Sequence, residues 1–168
     1  MTKTKAQQIM AATEVRAADD VTAAIQDIAA EFEPYIIKQR RHFHKHPELS
    51  LAEERTTSDI ANQLDAMNIP YERPLKTGLV ATLRGTAPDA YREDGTPRRR
   101  ILLRADIDAL PVTEQTGEEF ASVNEGCMHA CGHDCHIAMM LGTLQILRHM
   151  TCLLYTSDAA DEARSGDL

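Results

Sequence analysis

The residue types that could do chemistry are concentrated in one stretch, GCMHACGHDCH, which spans residues 126–136 and holds three cysteines and three histidines. Thiolates and imidazoles are the ligands that zinc and the neighbouring transition metals prefer. Cys131 and His133 are separated only by Gly132, so both side chains can point the same way from a loop that precedes a helix. Two close ligands cannot complete a tetrahedral site. The stretch therefore predicts part of a metal site, with further ligands supplied from elsewhere.

Redox and disulfide interpretations fit this stretch poorly. Its spacing is not that of a Cys-x-x-Cys redox motif, and no second cysteine pair exists to complete a four-cysteine zinc ribbon. On a helix, Cys131 and Cys135 would hold their Cβ atoms about 5–6 Å apart, beyond normal disulfide reach. We interpret Cys127 and Cys135 mainly as small, half-buried residues. Four residues stay open as additional ligands or as partners that orient the ligands: His129, Asp134, Cys135 and His136.

A second cluster of candidate residues lies in ADIDALP. Asp106 and Asp108 are two positions apart, so on an extended backbone both carboxylates project to the same side. They follow an apolar run, at the strand end where open α/β sheets place their active sites. The alternative is a turn whose aspartates cap a helix. A third group, His42, His44 and His46, has basic neighbours that disfavour a cation, and we expect it to serve structure or surface.

Two N-terminal helices are predicted to position these clusters. Residues 1–19 are Ala-rich and weakly patterned, and we expect a disordered extension. Asp20 is an acceptable N-cap for a helix that Pro34 breaks or restarts and that continues to Pro47. Its apolar face carries Val21, Ile25, Ile28 and Phe32. Ser50 and Glu53 form a capping-box pattern for a second helix from Leu51 to about Met67, with Ile60, Leu64 and Met67 inward.

After Pro70 the apolar pattern changes from helical to extended. Residues 78–85 alternate as a strand does, and the continuous apolar start of ILLRADIDALPV predicts a strand covered on both faces. A last helix directly follows the Cys/His stretch, with one apolar face formed by Ile137, Met140, Leu141 and Leu144. The order helix, helix, strand, strand, helix is typical of an α/β layered fold.

Composition limits the binding partners and the cellular compartment that we expect for this protein. The chain has 168 residues, 43% hydrophobic and 26% charged, enough for one sizeable core. Its formal net charge of -8 disfavours nucleic acid and anionic membranes as partners. Because no apolar block has the length of a signal peptide or a membrane span, we expect a cytoplasmic protein. In that reducing compartment, cysteines favour metal binding or catalysis over disulfides.

Three motifs, RRHFHKHPELSLAEERTT, LLRADIDALPVTEQTG and MHACGHDCHIAMMLG, together resemble the amidohydrolase branch of the aminoacylase/carboxypeptidase zinc metallopeptidases. That branch includes hippurate hydrolase, indole-acetyl-amino-acid hydrolase and N-acyl-amino-acid amidohydrolase. The similarity runs from about Glu33 to Met150. It implies the N-terminal part, residues 20–151, of a three-layer αβα catalytic domain with a mixed sheet.

The resemblance also implies roles for individual residues. Cys131 and His133 match metal ligands, with Cys131 placed to bridge two divalent ions, which could be zinc, manganese, nickel or cobalt. Asp108 matches the aspartate that orients a ligand. Asp106 stands where related carboxypeptidases carry a metal-binding histidine. The implied reaction is hydrolysis of the amide bond of a small-molecule N-acyl amino acid. The four residues that would support the ligands are Asp106, His129, Asp134 and His136.

The implied enzyme is a homodimer or higher homo-oligomer, and its general base and remaining ligands lie further along such chains. We therefore expect the 168-residue chain to be inactive alone. Residues 152–168 do not continue the family pattern, and CLLYTSDAADE reads as a translated sequencing adapter, so we interpret this tail as non-native. Two alternatives stay open: a dipeptidase or N-acetyl-diaminopimelate deacetylase of the same family, and a small non-catalytic zinc-binding module.

Overall fold

The computed structural model describes residues 18–87 and 90–151 and has the α/β composition that the sequence predicts. The helices are α1 (Ala18–Lys45), α2 (Glu54–Met67) and α3 (His133–His149), and the strands are β1 (Tyr71–Glu72) and β2 (Val80–Ala81). Most of the expected N-terminal extension, residues 1–17, and the whole expected tail, residues 152–168, lie outside the described residues. The three helices follow the predicted order, whereas β1 was not predicted and β2 lies within the first predicted strand.

Helix α1 is one continuous helix of 28 residues, so the predicted break at Pro34 is wrong. The helix also begins at Ala18, before the predicted N-cap Asp20. Proline lacks the N–H that would bind the carbonyl four residues earlier. Packing on both sides of Pro34 offsets that loss, because Ile28 and Phe43 are 0% and 2% exposed.

Helix α2 begins at Glu54, and the predicted capping box is wrong. Glu53 occupies the N-cap position without a side-chain cap hydrogen bond. The carboxylate of Glu48 takes over this role: its Oε2 accepts from the backbone N–H and the hydroxyl of Thr56 at 2.7 and 2.8 Å. Its Oε1 accepts from the backbone N–H of Arg55 at 3.2 Å. A residue six positions before the helix therefore caps it.

The two predicted strands form only in part. β1 and β2 pair antiparallel, with Tyr71 opposite Ala81, so the first predicted strand is reduced to Val80–Ala81. The prediction of a strand covered on both faces at residue 101 is wrong: Ile101 and Leu102 are 88% and 90% exposed. A strand needs hydrogen-bonding neighbours, and none of the described residues forms a ladder with residues 101–108.

By packing, the chain divides into two compact units. The first consists of Met1–Leu83 and Leu103–His149, and the second consists of Arg84–Leu102 and Met150–Leu168. All candidate site residues belong to the first unit. Its core joins all three helices through seven buried residues: Phe43, Ile60, Leu64, Met67, Ile69, Ile137 and Leu141. The inward face predicted for α2 is thus confirmed, and that of α3 is confirmed for Ile137, Leu141 and Leu144, whereas Met140 is half-buried outside this core. In the second unit, the hydroxyl of Tyr91 donates a hydrogen bond to the carbonyl oxygen of Gly85. The backbone N–H of Arg98 donates to the carbonyl oxygen of Ala90.

Candidate metal centre

Short backbone pairings bring the two aspartates beside the Cys/His stretch. The N–H of Ala109 donates to the carbonyl of Glu48 at 2.8 Å. Leu110 and Met128 exchange both backbone hydrogen bonds at 3.0 Å, forming an isolated antiparallel bridge. Because these bonds fix the chain directly after Asp108, its carboxylate is held close to the start of α3.

His133 is the first residue of α3 and is oriented by Asp108. Gly132 before it has φ +81°, a left-handed conformation that favours glycine, and this turns the chain into the helix. The Nδ1 of His133 lies 2.8 Å from Asp108 Oδ1 and 2.9 Å from the Asp108 carbonyl oxygen. With Nδ1–H donating to these two oxygens, the lone pair of Nε2 is free for a cation. An imidazole held by a carboxylate in this way is a common feature of metal sites.

Asp106, His133 and His136 form a group that could hold a metal ion. Each offers one ligand atom, and these atoms all lie within 4.8 Å of one another. The two imidazole rings are stacked, with centroids 5.0 Å apart and an interplanar angle of 25°. All three side chains are partly exposed. This group is the only metal-binding candidate of three or more His, Cys, Asp or Glu residues found among the described residues.

Asp106 is ionised and already paired with a cationic side chain. Its Oδ1 accepts from Nε and Nη2 of Arg104 at 2.9 and 2.7 Å. This hydrogen bonding holds the pKa of Asp106 below its usual range, and the nearby imidazoles of His133 and His136 act in the same direction. The carboxylate is therefore in the form that a metal ion requires.

Behind this group lies a buried ionic network that begins at Asp134. This residue is 1% exposed, and its Oδ2 contacts His44 Nδ1 at 2.8 Å and Arg40 Nε at 2.9 Å. His44 Nε2 in turn contacts Glu114 Oε1 at 3.1 Å. The other carboxylate oxygen of Asp134, Oδ1, has no hydrogen-bond partner among the described residues. The network ties the first turn of α3 to α1.

Hydrogen bonds keep Glu114 ionised although its side chain is only 4% exposed. Burial raises its pKa, but the bonds it accepts outweigh burial and lower the pKa to about 2. The donors are the backbone N–H of Ser122, at 2.6 Å, the hydroxyl of Thr116 and the imidazole of His44. Such bonds stabilise the charged form of a carboxyl group.

His129 is buried beside this network with unsatisfied ring nitrogens. It is 4% exposed, and neither Nδ1 nor Nε2 has a hydrogen-bond partner among the described residues. Burial lowers its pKa, so the ring is favoured in its neutral form. A neutral imidazole is the form that binds metal ions.

The three described cysteines are free thiols in different surroundings. Cys127 is buried, Cys135 is half-buried and Cys131 is exposed. Burial, together with the charge of Glu48, raises the pKa of Cys127, which makes its thiol a poor nucleophile and ligand. Cys131 lines an open cavity of about 440 Å³ that Arg40 and His129 also line. Its Sγ is not part of the three-residue group around His133.

The structure places the predicted site residues in two groups. Around the start of α3 lie Asp106, Asp108, His133 and His136. Around the buried network and the cavity lie His129, Cys131 and Asp134. Sequence reasoning missed Arg40 and Glu114. The four-residue spacing of Arg40 and His44 on one helix face could have shown that both reach one partner, whereas no sequence signal marks Glu114.

Residues 102–157 match the sequence pattern of peptidase family M20/M25/M40. The chain is 42% identical over 127 residues to an N-acyl-L-amino acid amidohydrolase of Geobacillus stearothermophilus and 45% identical over 121 residues to an N-acetylcysteine deacetylase of Bacillus subtilis. These alignments cover 75% and 69% of this chain, and 32% and 29% of the relatives. Over the matched region the chain is similar to peptidase family M20/M25/M40. It spans about a third of the length of these M20 relatives.

A solved M20 structure has the same fold over the matched region. It is a Bacillus subtilis protein described as a dinuclear metal-binding peptidase, with a TM-score of 0.63 and 41% identity. The match covers 72% of this chain and 32% of that one. The predicted partial α/β catalytic domain of an M20 metallopeptidase is thereby confirmed.

The side chains present fit a metal ion. Two imidazoles and one carboxylate suit zinc and related divalent ions, and the orienting bond from Asp108 to His133 leaves a ring nitrogen available.

The described residues contain no helix that is both long and apolar enough to cross a membrane.

Proposed function

We propose that this chain supplies part of the metal centre of a hydrolase that cleaves the amide bond of N-acyl amino acids. The observation that carries the proposal is His133, oriented by Asp108 beside Asp106 and His136, in a chain that is similar to the M20 family over the matched region. The names of two relatives, an N-acyl-L-amino acid amidohydrolase and an N-acetylcysteine deacetylase, support this substrate class.

We assign two metal ligands within the chain, Cys131 and His133. Asp108 fixes the ring orientation and tautomer of His133 through its 2.8 Å contact with Nδ1. Cys131 stands exposed at the cavity, where its thiolate could bridge two ions. Sulfur with imidazole permits zinc, manganese, nickel or cobalt. When bound, such ions polarise the amide carbonyl of the substrate and stabilise the negative charge that develops on its oxygen.

The other predicted residues hold and shape this centre. Asp134 anchors the first turn of α3 through its bonds to His44 and Arg40. His129 presents a neutral, buried imidazole next to it. Proton transfer from water to the leaving amine requires a general base. None of the residues assigned above has that role, so we propose that the 168-residue chain does not hydrolyse N-acyl amino acids by itself.

The test uses the longer protein, in which the chain continues to the length of its M20 relatives. Replacing Cys131 by alanine should remove both bound metal and turnover of N-acetyl amino acids or hippurate. Cys135→Ala is the matched control, because Cys135 is a free, half-buried thiol without an assigned role, and it should keep both. Full metal content in the Cys131→Ala protein would overturn the assigned ligand.

A further inference from the structure

We infer that His44 is a buried imidazolium and a positioning residue for the cavity at Cys131. It donates from both ring nitrogens at once, from Nδ1–H to Asp134 and from Nε2–H to Glu114, and so joins two chain segments that line this cavity. Its effect on catalysis rests on the proposed function. Its charge and its contacts do not.

Three parts of the chain line this cavity, and His44 connects them. Helix α1 contributes His44, and the lining residues from the rest of the chain fall within the ranges 114–120 and 128–135. The Nδ1 of His44 lies 2.8 Å from Asp134 Oδ2, in the second of these ranges. Its Nε2 lies 3.1 Å from Glu114 Oε1, in the first. One side chain therefore ties both segments to α1.

Asp134 accepts the hydrogen bond that it shares with His44. The same carboxylate oxygen, Oδ2, also lies 2.9 Å from Nε of Arg40. A guanidinium at this distance favours the ionised form of a carboxyl group. An ionised carboxylate has no proton to donate. The hydrogen between these two residues therefore belongs to Nδ1 of His44.

Glu114 is an acceptor as well. Burial raises its pKa, but the hydrogen bonds from the Ser122 backbone, the Thr116 hydroxyl and the His44 ring lower it to about 2. Glu114 is therefore ionised at neutral pH, and the hydrogen of its contact with His44 belongs to Nε2. A histidine ring that donates from both nitrogens is an imidazolium.

The charges of this network sum to zero when His44 is cationic. Asp134 and Glu114 carry two negative charges, and Arg40 carries one positive charge. The side chains of His44, Asp134 and Glu114 are 6%, 1% and 4% exposed, respectively. An unpaired charge in such a place is destabilising. A neutral His44 would leave one buried carboxylate without a cation.

The other groups around His44 leave this sum unchanged. His129 lines the same cavity, and burial lowers its pKa, so its neutral form is favoured. Glu118 and Arg41 are exposed, so water screens their charges. The ring of Phe120 packs edge-on against His44, with centroids 5.5 Å apart, and helps to shield it from water.

The charge of His44 is measured by ¹⁵N NMR of the longer protein, labelled at histidine. At pH 8, where an ordinary histidine has lost its second proton, both ring nitrogens of His44 should still be protonated. Loss of the signal in His44→Gln assigns it. His149 is the matched control, because its Nδ1 contacts a carbonyl oxygen, that of Gln145, and it should show one unprotonated nitrogen. One unprotonated nitrogen in His44 would overturn the inference.

The positioning role is measured by the pH dependence of kcat/KM for hippurate in the longer protein. Glu114→Gln replaces a charged acceptor by a neutral one, so His44 should lose its proton, and the enzyme its activity, at lower pH. From pH 7 to pH 9, kcat/KM should fall about tenfold more in Glu114→Gln than in the unmodified protein. Glu119→Gln, which changes an exposed acid in the same segment, should keep the unmodified pH profile.

A purely structural role of Glu114 would lower kcat/KM by the same factor at every pH, and that result would overturn the positioning role. Circular dichroism checks that each variant keeps its helices. Failure of the proposed function is seen separately, as an unmodified longer protein that releases no amino acid from hippurate. In that case the NMR measurement still decides whether His44 is the buried cation that binds both carboxylates.

Discussion

His133 depends on one neighbour for its orientation. Asp108 contacts its Nδ1 with both the carboxylate and the carbonyl oxygen, and the ring is 16% exposed. The resemblance to the metallopeptidases implied that Asp108 orients a metal ligand, and this role stays a prediction. Arg40, which contacts Asp134, was missed although its spacing from His44 is a local signal, and Glu114, which contacts His44, could not be predicted because only the folded chain creates that contact.

In the longer protein, replacing Asp108 by alanine should lower the metal affinity about 10- to 100-fold, the range typical for removing the partner of a metal-binding histidine. The ring of His133 would then be free to rotate and to change tautomer. Asp65→Ala, an exposed carboxylate on α2, serves as the control. Equal metal affinities for the Asp108→Ala and unmodified proteins would show that Asp108 does not orient His133.

His129 should make the chain sensitive to mild acid. Burial lowers its pKa in the folded state below the unfolded value near 6.5, so below that pH the unfolded chain binds more protons. Stability is therefore full above pH 6.5 and falls as the pH drops toward the folded pKa, with a slope of at most about 1.4 kcal/mol per pH unit. The free energy of unfolding, measured with urea from pH 7.5 to 5, should depend less steeply on pH in His129→Leu than in the unmodified chain. His149→Gln should keep the pH dependence of the unmodified chain. Identical slopes for His129→Leu and the unmodified chain would rule this out.

Among the elements, the helices were predicted more accurately than their ends and the strands. The inward positions Leu64 and Ile137 follow from apolar spacing within one helix, which is local. The capping of α2 depends on Glu48, outside the four-residue pattern that Ser50 and Glu53 suggested. The stretch from residue 101 has strand composition, but a strand also depends on partners distant in sequence.

Glu48→Ala should destabilise the chain by about 0.5–2 kcal/mol, the usual cost of losing a helix cap. It removes the acceptor of the Arg55 and Thr56 backbone N–H groups. Ser50→Ala should be nearly neutral, because the N-terminus of α2 has no side-chain cap bond from the predicted box. Chemical denaturation measures the stability of both variants. A larger loss of stability in Ser50→Ala than in Glu48→Ala would contradict capping by Glu48 and support the capping box predicted from the sequence.

Gly142 permits the close approach of α3 to α1. A Cβ at this position would lie 2.7 Å from Cδ1 and 2.8 Å from Cγ1 of Ile36. Gly142→Ala should therefore destabilise the chain by about 1–3 kcal/mol, despite the better helix propensity of alanine. In the Ile36→Ala background, where the space is free, the same change should be neutral or stabilising. Equal effects in both backgrounds, measured by thermal unfolding, would contradict this packing.

On the scale of the whole molecule, the chain spans about a third of the length of the N-acyl-L-amino acid amidohydrolase that it matches. Ile101 and Leu102 have the composition of a covered strand, yet they are almost fully exposed in the described residues. The part of the site that the chain carries, around His133, is formed by contacts within the chain. The substrate and the general base could not be predicted from these residues.

The most direct test of the central claim is the rate at which the longer protein releases free amino acid from N-acetyl amino acids and hippurate, measured before and after chelation. Hydrolysis should stop when the metal is removed and return when zinc, cobalt or manganese is added. Hydrolysis that continues at full rate in the metal-free protein, or none in the metal-loaded protein, would contradict the assignment of a metal-dependent amidohydrolase.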